Sequence, residues 1–272
     1  MTEPEAESGA APVDDPVLGL ARTLTDSAHE VVNAAATHTR ERLEYEHVRE
    51  AQSALLLLQG HADVLASLVA AGPHTYPSGW PIARAVLEVG VRSAWRMHHD
   101  DPFVAEARWL VWLRRQVRLE QNAAVWWAGQ GNQESAAKAA ERAAASNKFC
   151  SDLEALLSER GVVVPRREPP MSTVLADLEL EDRYQFYAEA SERQHGSLIG
   201  LNAWTRNLGT AREFGQFARP IDWVEPLVIA MGGLMVLSNV YVYRTGTPEV
   251  ESIRAAAWAR WDAYRLRLGE VE

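Results

Sequence analysis

The chain has 272 residues, 47% of them hydrophobic and 24% charged, which is the composition of an ordinary globular protein. Its formal net charge of -10 argues against broad electrostatic binding to nucleic acid or to an anionic membrane surface. The single cysteine, Cys150, excludes an intramolecular disulfide and a cysteine-based zinc site, and it fits a reducing cytosol.

The first half of the chain predicts an acidic tail followed by helices. Residues 1–15 are acidic and rich in Pro and Ala, so we expect a disordered tail with no export signal. From residue 16 to 270 the helical period predicts one all-α, bundle-like domain. The first helices are predicted over about 16–36, 39–71, 81–99 and, capped by Asp100 or Asp101, 102–127.

The second half continues the helical pattern with two interruptions. Residues 161–172 predict a mobile loop, and residues 196–220 predict loops and short turns with scattered glycines. The remaining helices are predicted over 134–159, from a Ser172 cap to 180, from 181 or 182 to 195, from an Asp222 cap to 243, and over 248–268.

One apolar stretch of the sequence is long enough to be considered as a membrane-spanning helix. Residues 227–243, LVIAMGGLMVLSNVYVY, have about the minimum length of a spanning helix. They contain Ser238 and Asn239 and have no basic flank on their N-terminal side, which favours a central core helix. We therefore predict a cytoplasmic protein without a membrane partner.

Two helical motifs place polar side chains on apolar helices. Arg84 and Glu88 are four residues apart, and Arg92 continues their stripe, so Glu88 is predicted between two guanidinium groups. Later in the chain, YAEASERQHGS places Tyr187, Ser191 and His195 at four-residue steps on one face of a helix. We expect the two motif helices to meet.

Together these motifs resemble a widespread family of uncharacterised bacterial all-helical proteins. Its recurring features are an Arg-x-x-x-Glu helix and a later Tyr-x-x-x-Ser-x-x-x-His helix, and the resemblance covers roughly residues 50–245. It implies the helical fold more than a function. The residues carried over are Arg84, Glu88, Tyr187, Ser191 and His195.

The preferred interpretation is a binding or interaction protein with its functional pocket at this polar cluster. Arg84 would anchor an anionic small molecule, Glu88 would hold Arg84, and Ser191 and His195 would offer hydrogen bonds or transfer a proton. The alternative is a structural clamp that fixes two helices in register. No cofactor is expected, and the apolar and Trp-bearing helices allow a homodimer.

Two catalytic alternatives remain open. Arg92 and His98 have the approximate spacing of the Arg and His motif of metal-independent HEPN ribonucleases, which are helical and commonly dimeric. Alternatively, Glu44-x-x-His47 and Glu192-x-x-His195, together with Glu88, could bind two metal ions as in bundle oxidases. The guanidiniums beside Glu88 would repel such cations.

Overall fold

The computed structural model describes residues 15–38, 45–194, 205–208, 211–214 and 218–269. Apart from one short hairpin, the regular secondary structure of these residues is helical, which confirms the predicted all-α class. The helices are α1 (Pro16–His38), α2 (Glu46–Ala71), α3 (Tyr76–Met97), α4 (Pro102–Gly129), α5 (Gln133–Glu159), α6 (Met171–Asp177), α7 (Tyr184–Gln194), α8 (Val224–Thr245) and α9 (Pro248–Gly269).

Several helix ends follow the predicted capping chemistry and others do not. Asp101 caps α4, as predicted, by accepting a hydrogen bond from the backbone N–H of Phe103 at 2.8 Å. Asp222 does not cap the apolar helix, because its carboxylate accepts the backbone N–H of Arg219 at 2.7 Å in a preceding 3₁₀ turn. Ser172 is likewise not a cap, since α6 begins one residue earlier, after Pro170.

Helix α3 begins at Tyr76, five residues before the predicted start at Pro81. Pro77 occupies the first turn, where a missing N–H costs no intrahelical hydrogen bond, and the helix continues through Pro81. Asp15, predicted as the end of the tail, instead accepts the N–H of Val17 at 2.9 Å at the start of α1.

A β-hairpin lies where the sequence predicted only loops and turns. Strands β1 (Thr205–Leu208) and β2 (Ala211–Phe214) are antiparallel, with Thr205 opposite Phe214. The strand sequences, TRNL and AREF, do not alternate apolar and polar residues, so the usual strand pattern is absent from them.

Helices α3 and α8 form the centre of the molecule. Gly90 of α3 and Gly233 of α8 lie at their crossing, where a Cβ added at Gly90 would lie 2.2 Å from the Gly233 carbonyl oxygen. A Cβ added at Gly233 would lie 2.6 Å from the carbonyl oxygen of Val86. The two backbones therefore approach more closely than any larger residue allows.

The main core surrounds this pair. Helix α2 packs against α1 and α3, and α9 packs against α1. Residues of α8 such as Leu227, Ala230 and Leu237 are fully buried, so the apolar stretch 227–243 is the central core helix that the sequence predicted. Helix α2 and residues 220–245 are also long and apolar enough to cross a membrane, and the cytoplasmic location stays a prediction.

Helices α4 and α5 form an antiparallel hairpin with a second, smaller core. Among the described residues α5 packs chiefly against α4. The buried side chains of this core are Ala107, Leu110, Val117, Cys150 and Leu157. The apolar side chains of Val125 and Trp126, near the tip of the hairpin, are exposed.

Candidate functional site

The structure brings three residues of the predicted polar cluster together. An Arg84 Nη atom donates a hydrogen bond to the Tyr187 hydroxyl at 3.3 Å, and the guanidinium lies 5.3 Å from the centre of the Tyr187 ring. Glu88 lies between two guanidiniums, 3.9 Å from Arg84 and 3.1 Å from Arg92. The two motif helices, α3 and α7, therefore meet as expected.

Gln194, which lies in this stretch but was not among the predicted site residues, completes the contact. Gln194 accepts a hydrogen bond from Arg84 at 2.6 Å through its side-chain oxygen. Ser191 lies one turn before it on α7 and is half-buried. His195, the last residue of the motif, lies outside the described residues, and so does Glu44.

A second arginine, which belongs to α7 itself, attaches this helix to α3 and α8. The guanidinium of Arg193 lies 4.1 Å from the centre of the Trp80 ring, and it donates to the Tyr76 hydroxyl at 3.2 Å and to Glu225 at 3.0 Å. Burial raises the pKa of Glu225 above its ordinary value, and the charge of Arg193 opposes this shift. Burial likewise raises the pKa of Tyr76. Arg84 and Arg193 together act as clamps between helices.

The residues of the metal hypothesis occupy different environments. His47 is fully buried on α2, with its Nδ1 atom 3.2 Å from Glu106 of α4, whereas Glu192 is exposed on α7. Glu106 also accepts the backbone N–H of Glu46 at 2.5 Å and so caps the start of α2. The described residues contain no group of three or more His, Cys, Asp or Glu arranged to hold a metal ion. Two of the proposed ligands, Glu44 and His195, lie outside this description.

Arg92 and His98 line different cavities. His98 lies at the end of α3 beside a cavity of about 330 Å³ that Arg108, Asp177 and Tyr243 also line. The Tyr243 hydroxyl donates to Asp100 at 2.7 Å, and this hydrogen bond raises the pKa of Tyr243. Arg92 faces a separate cavity, so the structure does not join the two residues of the ribonuclease hypothesis in one site.

The cavity beside Arg92, called here the arginine cavity, has a volume of about 460 Å³. It lies between α3, α4 and the segment 160–170 that connects α5 to α6. Its lining consists of four arginines, one carboxylate and three apolar residues: Arg92, Arg115, Arg118, Arg167, Glu168, Val111, Pro169 and Pro170. Val111, Arg115 and Arg118 share one face of α4, because they are separated by four and three residues.

A network of ion pairs forms the floor of the arginine cavity. Glu168 accepts a hydrogen bond from Arg96 at 2.8 Å and lies 3.7 Å from Arg92 and 4.0 Å from Arg115. Arg96 is almost fully buried and also donates to Glu50 at 2.8 Å. These contacts attach the segment 160–170 to α3. Most of this segment belongs to the stretch 161–172 that was predicted as a mobile loop.

Sequence reasoning missed the arginine cavity, although each part of it had a local signal. The stretches WLVWLRRQVRLE and GVVVPRREPP are rich in arginine, but they are about fifty residues apart in the chain. Only the return of the chain from α5 to α3 brings Arg167 and Glu168 beside Arg92 and Arg115.

The chain matches none of the protein-family models, curated proteins or solved structures with which it was compared. The fold and the site therefore define the class of this protein only as an all-α protein with an arginine-lined cavity. The resemblance to the uncharacterised helical family stays a prediction.

Proposed function

We propose that this protein binds a small anionic molecule in the arginine cavity. One observation carries the proposal: four guanidinium groups line a cavity that contains a single carboxylate. Two of these groups, Arg118 and Arg167, have no ion-pair partner within the described part of the chain. Like charges that lie close together repel one another, and an anion bound between them relieves this repulsion. Guanidinium groups also form strong hydrogen bonds with anionic oxygens.

In this proposal the polar cluster around Arg84 has a structural role beside the arginine cavity and does not bind the ligand. The guanidinium of Arg84 donates to Gln194 and Tyr187, so its contacts suit a clamp between α3 and α7 better than an anion anchor. Glu88 links the cluster to the cavity, because its carboxylate accepts a hydrogen bond from Arg92 at 3.1 Å. The sequence thus predicted an anionic ligand, and the geometry favours a neighbouring place for it.

Isothermal titration calorimetry with inorganic pyrophosphate tests the proposal. The double variant Arg118→Gln/Arg167→Gln should bind pyrophosphate at least about tenfold more weakly than the wild type, because each lost charged hydrogen bond is worth about 1.5–3 kcal/mol. Both side chains are exposed, so the fold should be unaffected.

The matched control is Arg142→Gln/Arg254→Gln, which removes two positive charges from ion pairs with Glu120 and Glu251, outside the arginine cavity. It should bind pyrophosphate as the wild type does. Equal weakening in both double variants would show that only the net charge matters, and it would overturn the proposal. Absence of binding to the folded wild-type protein would also overturn it.

A further inference from the structure

The charge of the arginine cavity indicates a ligand with two negative charges. Four arginines and one glutamate line it, which leaves an excess of three positive charges. Four further charged side chains form ion pairs next to the lining. Their charges cancel, because the two arginines Arg84 and Arg96 are balanced by the two glutamates Glu50 and Glu88. A monoanion would leave most of the repulsion in place, whereas a dianion neutralises most of it.

The guanidinium groups of the lining suit phosphate oxygens. All four basic groups in the lining are arginines, and the planar guanidinium presents paired N–H donors that match the oxygens of a phosphate. A phosphate monoester presents three terminal oxygens and is close to a dianion at neutral pH, since its second pKa is about 6.

The size and wall of the cavity indicate an organic group attached to that phosphate. A volume of about 460 Å³ lies in the range of sites for small organic ligands and leaves room beyond a single phosphate group. The lining also includes Val111 of α4 and Pro169 and Pro170 of the segment 160–170, which offer apolar contact and no side-chain donors. The two prolines also limit the backbone freedom of this wall.

We infer that the ligand is a phosphate monoester of a compact organic group. Its phosphate contacts Arg115, Arg118 and Arg167, and its organic part packs against the apolar wall. Arg92 contributes charge from the floor, where Glu88 and the Pro169 carbonyl oxygen hold it. This inference rests on the proposed function and specifies the substrate class of the same site.

Phenyl phosphate and phenyl sulfate form the test pair, because they share a shape and differ in charge. At about pH 8 the phosphate ester is a dianion and the sulfate ester a monoanion. By calorimetry at constant ionic strength, the wild type should bind phenyl phosphate at least about tenfold more tightly than phenyl sulfate. The double variant Arg118→Gln/Arg167→Gln should lose this difference, and Arg142→Gln/Arg254→Gln should keep it.

The other outcomes separate this inference from the proposed function. If both esters bind equally and both are weakened by Arg118→Gln/Arg167→Gln, the anion site stands and the phosphate-monoester inference is overturned. If inorganic phosphate binds as tightly as phenyl phosphate, the organic part of the inference is overturned. If pyrophosphate and both esters fail to bind the folded protein, the proposed function and this inference fail together.

Discussion

At the scale of single residues, the arginines of this protein divide into two groups according to their surroundings. Arg84 and Arg193 are largely buried, and each contacts an aromatic ring and oxygen atoms of a neighbouring helix. Arg118 and Arg167 are exposed at a cavity. A guanidinium that leaves water is stable only when fixed partners replace its hydration, so the first group stabilises the fold. The second group presents its donors at the cavity, where the proposed ligand would bind.

Glu225 gives a test of the buried clamp around Arg193. Burial raises its pKa above the ordinary value of 4.5, so above pH 4.5 the folded state holds a proton that the unfolded state has released. The free energy of unfolding therefore falls as the pH rises through this range. Glutamine does not titrate, so Glu225→Gln should not show this fall. The free energy of unfolding of the variant, relative to that of the wild type, should therefore increase from pH 4.5 towards neutrality. Urea unfolding at a series of pH values measures the difference.

The control for this experiment is Glu134→Gln, which removes a carboxylate from the exposed surface of α5. The stability difference from wild type should increase with pH for Glu225→Gln and should not do so for Glu134→Gln. A stability difference between Glu225→Gln and wild type that decreases as the pH rises would contradict the assigned direction of the pKa shift.

At the scale of helices, the close crossing of α3 and α8 holds the centre of the molecule together. Gly90 and Gly233 allow backbone contact there, and the buried aliphatic side chains of both helices pack on either side. The sequence predicted both helices but contained no signal that two glycines 143 residues apart would meet. A glycine in a helix is recognisable as a packing position only when its neighbour in space is known.

Adjacent glycines of α8 provide a test of this crossing. Gly233→Ala should lower the free energy of unfolding by about 1–3 kcal/mol or more, because its Cβ would overlap backbone atoms of Val86 and Leu87. Gly232→Ala places a Cβ where no atom lies within 4 Å, and it should raise stability by up to about 1 kcal/mol through helix propensity. Chemical denaturation followed by helical circular dichroism measures both. Similar effects of the two variants would show that the crossing is not tightly packed.

At the scale of the whole molecule, two cores of unequal size carry the structure. The main core includes residues of α1, α2, α3, α6, α7, α8 and α9, whereas the α4–α5 hairpin has a small core of its own. The arginine cavity lies between the two, because α3 belongs to the main core and α4 to the hairpin. Movement of the hairpin relative to α3 would therefore change the distances among the four guanidiniums.

Hydrogen exchange should reveal this division. Amide hydrogens in the middle of α5 should exchange faster than those in the middle of α3 and α8. Fewer buried side chains hold α5 in place, so its local opening costs less free energy. Mass spectrometry of peptic peptides after timed labelling measures the difference. Equal protection of α5 and α3 would show that hairpin and main core unfold as one cooperative unit.

Ligand binding should add to this pattern. A molecule bound in the arginine cavity, between α3 and α4, should slow exchange in α4 by linking the two cores. The predicted homodimer and cytoplasmic location also belong to this scale and stay predictions.

The sequence by itself determined the helical class, most helix positions, the buried character of residues 227–243 and the meeting of the two motif helices. These properties follow from the local period of apolar side chains and from short motifs, which a linear chain displays directly. Tertiary structure decided which arginines lie together and which of them form ion pairs or hydrogen bonds with other residues. Arg92, Arg115 and Arg167 come from three separate segments, and their shared charge exists only after the chain returns on itself.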